Sequence, residues 1–297
     1  MSLPPTPHGE LQVGRLLTYT RRYSPAEIAS YDSLSGRVRA PRGSAGELPD
    51  LLVVAPLTKL GGDLNYLARK MTWRRTRPVL ADEELTAELE VLKLEEDAGF
   101  HRIAFDARVR AGDGEVVLDG HSKGLVLHVA DAPTSPGEQG GDAAPHPGRP
   151  EADAALLDGI APRAVLRGSA TVTAEDIALC AEITGDYGAH HLGHSGERQM
   201  AQGLLTSTSV PLIRGDRGFR HHTVSMVFLQ PVHVGDTVDS EVLVEEVAAP
   251  AGEGAETAGE GANSPEPVLT LSTTVRNQNG TEVLVSQCTG AFADAAG

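Results

Sequence analysis

Two side chains suited to moving protons stand five residues apart in the segment ITGDYGAHHLGH: the carboxylate of Asp186 and the imidazole of His191. An imidazole titrates near neutrality, and a carboxylate can orient a water or a hydroxyl. A pair fixed on one turn can therefore share general acid–base work. Spacing alone does not separate such a pair from two surface residues. Twelve residues beyond His191, Gly203 opens the apolar stretch in AQGLL. Free N–H groups at a helix start can hydrogen-bond a carbonyl oxygen that gains negative charge, and a glycine lets a substrate come close. A glycine there also serves a plain turn. Together Asp186, His191 and Gly203 make a candidate acid, base and oxyanion donor.

The elements that must position these residues are legible as a repeat. Residues 24–37, SPAEIASYDSLSGR, align without a gap on residues 173–186, TAEDIALCAEITGD, at an offset of 149. Ser24 and Thr173 are helix caps with Glu27 and Asp176 in capping-box position, and Ile28 and Ile177 face inward. Residues 77–96 match 230–247 through an X-Pro-Val turn feeding an alternating strand, with prolines 153 apart. Residues 109–127 match 275–292 as two strands around a Gly turn, with turn glycines 166 apart. The growth in offset puts an insertion of about 13 residues in the second copy. It is visible as PAGEGAETAGEGANSPEP, residues 250–267.

Each copy reads as strand, short helix, loop, longer apolar helix, then a run of alternating strands. The long-helix candidates are Pro56 to Lys70 and Leu204 to Arg214, the second shortened by Pro211. Such an order predicts an α+β fold, an antiparallel sheet wrapped on a helix, twice over. The predicted division is 1–130, a linker at 131–160 rich in Gly, Ala and Pro, and 161–297 with a loop near 249–267. At the offset of 149, Asp186 corresponds to Arg37 and His191 to Arg42. Only the second copy carries both acid–base groups, so the second copy is expected to react and the first to support it.

Composition narrows the partners. The 297 residues are enough for two cores. The formal charge of −16 argues against general nucleic-acid binding, which needs a positive field along the phosphates. No apolar run approaches the roughly 20 residues of a membrane span. Residues 1–10 do not read as a signal peptide, and a cytoplasmic protein is expected. Cys180 and Cys288 lie far apart without a CxxC pattern, so they are read as buried thiols rather than a disulfide or zinc site. His190, His194, His221 and His222 have no Cys or acidic ligand set in sequence beside them, and no metal is expected.

The segments ITGDYGAHHLGH, AQGLL and FLQPVHVGDTV resemble the MaoC-like, (R)-specific enoyl-thioester hydratases, the hydratase 2 group of double-hotdog proteins. The resemblance covers the second copy well and reaches the first through the repeat and its Arg-Pro-Val strand. It implies a tandem double hotdog, each half a sheet around a long central helix. It also implies reversible hydration and dehydration of 2-enoyl and 3-hydroxyacyl thioesters, without metal or redox cofactor. Residue by residue, the family's Asp falls on Asp186, its His on His191, and the glycine whose N–H meets the thioester carbonyl on Gly203. The family's first module lacks the catalytic pair and widens the acyl tunnel, a role the first copy would take here. Three departures stand out: Gly188-Ala189 replaces Asn-Pro, Gln202 replaces a His, and the stretch from His191 to Gly203 is short. The first predicts a less constrained turn under His191.

The thioester would arrive on coenzyme A or on an acyl carrier protein, either of which brings phosphate. The candidate contacts are Arg74, Arg75 and Arg77 in WRRTRP and Arg214, Arg217 and Arg220 in RGDRGFR. Chain building of the polyketide or fatty-acid type is one setting for such chemistry. Two other readings stay open, an acyl thioesterase and a non-catalytic acyl-binding subunit. A chain with two hotdog halves is compatible with a monomer or a homodimer.

Overall fold

The computed structural model describes residues 10–36, 46–97, 99–127, 160–193, 198–210, 219–248 and 267–292. The linker at 131–160 and the insertion at 250–267 lie outside the described residues, apart from the last residue of each. Arg37, Arg42, His194, Arg214 and Arg217 lie outside them too.

The first half runs β1 (Leu16–Arg21), α1 (Pro25–Ser35), α2 (Asp50–Asp63), β2 (Tyr66–Arg75), β3 (Leu85–Asp97), β4 (Phe100–Ala111) and β5 (Val116–Leu127). The second half repeats this order as β6 (Val165–Thr171), α3 (Ala174–Thr184), α4 (Ala189–Leu192), α5 (Gly203–Ser207), β7 (Phe219–Phe228), β8 (Thr237–Ala248), β9 (Val268–Asn277) and β10 (Glu282–Phe292). All ten strands join in one antiparallel sheet, ordered β1-β3-β4-β5-β2-β7-β10-β9-β8-β6. The order is a palindrome of equivalent strands, and β2 pairs with β7 at its centre. There Thr72 faces Ser225, the residue 153 positions on in the second copy. A pseudo-two-fold axis therefore passes through this pair, as it would between two protomers of a symmetric dimer. This is the tandem double hotdog expected from the sequence.

Both predicted capping boxes form. Ser24 Oγ accepts the Glu27 N–H while Glu27 Oε2 accepts the Ser24 N–H, and Thr173 and Asp176 do the same. Each helix ends on a left-handed glycine, Gly36 at φ 61° and Gly185 at φ 75°, a backbone region open to glycine at little cost.

The long helices depart from expectation. α2 begins at Asp50, six residues before Pro56, and ends at Asp63, so residues 66–70 belong to β2. Leu51 through Pro56 are all buried because α2 packs on β1, β2, β3 and β4 and on α3. A helix enclosed all round shows no 3.6-residue stripe, which hid its first turns. Proline in its second turn costs one intrahelical bond, offset by this burial. In the second half α5 spans only Gly203–Ser207, against the expected Leu204 to Arg214. Thr206, Ser207, Thr208 and Ser209 each turn a hydroxyl back onto a carbonyl three or four residues earlier. Such bonds compete with the helix ladder, and Pro211 disfavours helical Val210 before it.

Candidate active site

Three pieces of the second half carry the site. Asp186 follows the Gly185 cap of α3, His191 lies in the single-turn α4, and Gly203 opens α5. The expectation that Asp186 and His191 share a turn outside any helix is thus corrected for His191. Asp186 is 9% and His191 4% exposed, so both leave bulk water on folding. Asp186 Oδ2 lies 3.6 Å from His191 Nε2, beyond a good hydrogen bond. The other ring nitrogen, Nδ1, is 2.7 Å from the Met200 carbonyl oxygen. A carbonyl only accepts, so Nδ1 carries the proton and the neutral ring presents the Nε2 lone pair towards Asp186.

Burial works against the ionised form of Asp186. The nearby His191, its hydrogen bond, His190 and the Gly188 N–H outweigh it and hold the carboxyl below the ordinary carboxylate range. The Gly188 N–H donates to Asp186 Oδ1 at 3.3 Å. An ionised carboxylate therefore faces an imidazole lone pair across a gap that suits one bridging donor. A water or a substrate hydroxyl in that gap could give one hydrogen bond to each.

The first half supplies the rest of the surround. Gly62 of α2 lies so close that a β-carbon there would run into Asp186 Oδ1, and would stand 3.1 Å from Asp186 Cα. Asn65, just past α2, accepts the Ala189 N–H at 3.1 Å and meets His190 Nδ1 at 2.9 Å. The rings of His190 and His191 are 4.0 Å apart. Burial and the neighbouring His191 push His190 down to about 3, so it is neutral at physiological pH.

Gly203 begins α5, where first-turn N–H groups have no intrahelical partner. A β-carbon on it would meet the Phe228 ring at 2.9 Å. The missing side chain is thus needed by Phe228, a requirement separate from any close approach of substrate. Gln202 donates from Nε2 to the Ile177 carbonyl and ties the start of α5 to α3.

Asp186, His190, His191 and Gly203 line one end of a cavity that runs into the first half, where Tyr66, Phe105, Ala107, Leu118 and Val54 wall it. Tyr66 stacks edge-on against Phe105 at 5.3 Å and its hydroxyl meets Ser122 Oγ at 2.6 Å. The lining is mostly apolar, with the acid–base groups at one end. That form suits a long apolar ligand with a reactive head.

The pseudo-symmetric place in the first half is filled. Offset by 153, Gly203 corresponds to Asp50, Phe228 to Arg75, and Ala68 of the cavity wall to His221. Asp50 pairs with Arg75 through Oδ1 and accepts the His221 N–H and Nδ1–H on Oδ2 at 2.7 and 2.9 Å. Burial opposes a charge on His221, but its bond to Asp50 and the Cys288 side chain raise it to about 10. A buried, paired charge cluster thus stands where the second half keeps an open helix start.

The candidate phosphate contacts are arranged differently from the expectation. Arg74 pairs with Asp119, Arg75 with Asp50, Arg77 with Glu83, Asp113 and Glu115, and Arg220 with Glu47. None of these four lines the cavity; Arg69 does, and it is exposed. Among the described residues no carboxylate pairs with Arg69. Arg69, Asn65, Gly62 and His190 are the site residues that sequence reasoning passed over. The pair HH at 190–191 was in view, and the register of Arg69 against the cavity follows only from the β2–β7 seam. Among the described residues no helix is long and apolar enough to cross a membrane.

No family model and no curated protein matches the chain. Solved structures do. A conserved Mycobacterium tuberculosis protein with a double hotdog fold superposes at a TM-score of 0.67 with 16% identity, over 95% of this chain and 97% of that one. A Chloroflexus aurantiacus protein described as a MaoC domain dehydratase gives 0.66 with 14% identity, over 95% and 96%. A Lactobacillus plantarum protein described as an oleoyl thioesterase gives 0.50 with 10% identity, over 95% and 96%. At these identities the likeness establishes the fold, a double hotdog of the same two-half construction.

Proposed function

We propose that the chain is a hydro-lyase that adds water to 2-enoyl thioesters and removes it from 3-hydroxyacyl thioesters. The single observation that carries this reading is the buried pair, Asp186 Oδ2 and His191 Nε2 at 3.6 Å, facing an apolar cavity. In the hydration direction a water in the gap adds its oxygen to C3 and leaves one proton with the pair. The π electrons move to C2, which takes a proton from the pair, so Asp186 and His191 end unchanged. Gly203 N–H would hydrogen-bond the thioester oxygen as charge reaches it. Dehydration is the reverse. The step asks for no metal or redox group. The resemblance in the Gly-Asp and His segments, and a fold shared with a protein described as a dehydratase, support the same chemistry.

The acyl chain would lie along Tyr66, Phe105 and Leu118, and the carrier's phosphate would meet Arg69 at the cavity rim. Coenzyme A and a carrier-protein arm share that phosphate chemistry. Polyketide or fatty-acid-type chain building is the setting we propose for it. A fold shared with a protein described as a thioesterase keeps hydrolysis as the second reading. The purified protein should be given 2-enoyl and 3-hydroxyacyl thioesters on coenzyme A and on a carrier protein, with mass spectrometry following gain or loss of one water. Interconversion abolished by Asp186→Asn and by His191→Ala supports the hydro-lyase. Release of free thiol without it indicates a thioesterase, and no turnover by folded protein indicates an acyl-binding subunit.

A further inference from the structure

We infer that Asn65, in the first half, is the positioning residue that sets the His191 turn of the second half; this rests on the acid–base reading above. α4 is a single turn of four residues whose N-cap is Gly188, and no side chain within it caps its first N–H groups. Asn65 takes that part from 124 residues away, its Oδ1 accepting the Ala189 N–H. The same oxygen meets His190 Nδ1 at 2.9 Å. Because Oδ1 only accepts, His190 carries its proton on Nδ1 and its ring orientation is set as well. The opposite side of the turn is held by Met200, which accepts from His191 Nδ1 and donates its N–H to the His190 carbonyl. The acid–base residue is thus gripped between Asn65 and Met200.

Asn65 is itself firmly placed. It is 7% exposed, donates its N–H to the Gly62 carbonyl, and accepts the Leu127 N–H on its own carbonyl. Its amide Nδ2 faces the Leu127 carbonyl at 3.4 Å. Its backbone is left-handed, φ 53°, a conformation that asparagine takes more readily than most residues. It turns the chain from α2 into β2 while aiming its side chain at α4. Where the related sequence pattern has Asn-Pro ahead of the histidine, this chain has Gly188-Ala189, and the restraint comes from the other half.

The test compares Asn65→Gly and Asn65→Asp in the full chain. Glycine accepts φ 53° freely, so the corner is kept and only the side-chain acceptor is removed. Aspartate keeps the acceptor oxygen. Asn65→Gly is expected to lower kcat by about 10- to 100-fold, the scale of a misplaced catalytic group, with KM little changed. Asn65→Asp should restore most of kcat and, by placing a carboxylate on His190, raise the pH at which His190 titrates. Nitrogen-15 NMR should show the His190 Nδ1–H held in the wild type and in Asn65→Asp and exchanging freely in Asn65→Gly. Wild-type kcat and a retained His190 signal in Asn65→Gly would overturn the inference. So would an Asn65→Asp protein, folded, as impaired as Asn65→Gly; were the glycine variant to unfold, loss of kcat and of the His190 signal in folded Asn65→Asp would do so alone. If the wild type turns over no thioester, the hydro-lyase reading fails, and the His190 signal still decides the role of Asn65.

Discussion

Replacing Gly62 by alanine should separate stability from activity, because one methyl group acts on the two in opposite directions. Gly62 lies near the end of α2 with ordinary helical backbone, where alanine is favoured over glycine by roughly 0.5–1 kcal/mol. The new β-carbon would overlap Asp186 Oδ1 and stand 3.1 Å from Asp186 Cα and 3.2 Å from Cγ. The last two contacts involve the body of the residue, so swinging the carboxylate aside does not relieve them. The turn at 185–188 must move by some tenths of an ångström, and Asp186 leaves its 3.6 Å relation to His191. A displacement approaching 1 Å costs on the order of 100-fold in rate. The carboxyl also loses some of the His191 influence that holds it low, so the acid limb of the rate profile should move to higher pH. The assay is kcat/KM for 3-hydroxyacyl thioester dehydration across pH, beside a thermal melt. The expected result is a melting temperature within a few degrees of wild type, a large rate loss and a raised acid limb. A folded Gly62→Ala protein with wild-type kcat/KM and an unmoved limb would refute the account of the α2–Asp186 contact.

Asp186→Asn and His191→Ala should each lower kcat by about 100- to 10,000-fold, as removal of a general acid or base does, and the double variant should add little, since the two act on one bridging group; single-turnover mass spectrometry checks this. In the wild type the acid limb should lie below the ordinary carboxylate value of 3.8, because Asp186 is lowered, so long as the fold survives that pH. His221, raised to about 10, contributes stability that is complete below its ordinary 6.5 and is lost as pH rises through about 10. At 1.36 kcal/mol per unit this is on the order of a few kcal/mol. The melting temperature should therefore fall between pH 7 and 10, and His221→Gln should flatten that slope. Arg69→Glu should raise KM for phosphate-bearing thioesters roughly three- to tenfold with kcat unchanged, an effect that shrinks in salt; an equal effect on a phosphate-free thioester would remove Arg69 from carrier recognition.

Local chemistry made much of this protein readable. Capping boxes at Ser24 and Thr173, the X-Pro-Val strand entries and the paired Gly turns are interactions over a few residues, so their pattern survives in the string of letters and repeats with the fold. The palindromic sheet follows from that repeat once equivalent strands pair. Asp186 and His191 were legible because they sit close together in the chain and because the first copy has arginine at both places.

Sequence by itself therefore determined the two-copy α+β architecture and the acid–base pair. Tertiary structure alone decided what surrounds them. α2 starts six residues early because enclosure on every side erased its stripe, and α5 stops early because four hydroxyls turn onto its carbonyls. Arginines that looked free to meet phosphate are neutralised by carboxylates distant in sequence, such as Asp50, Asp119 and Glu47. Gly62, Asn65 and Arg69 reach the site from the first half, more than 100 residues before Asp186. Contacts of that kind depend on where the β2–β7 seam places the two halves, and no spacing within either half encodes them.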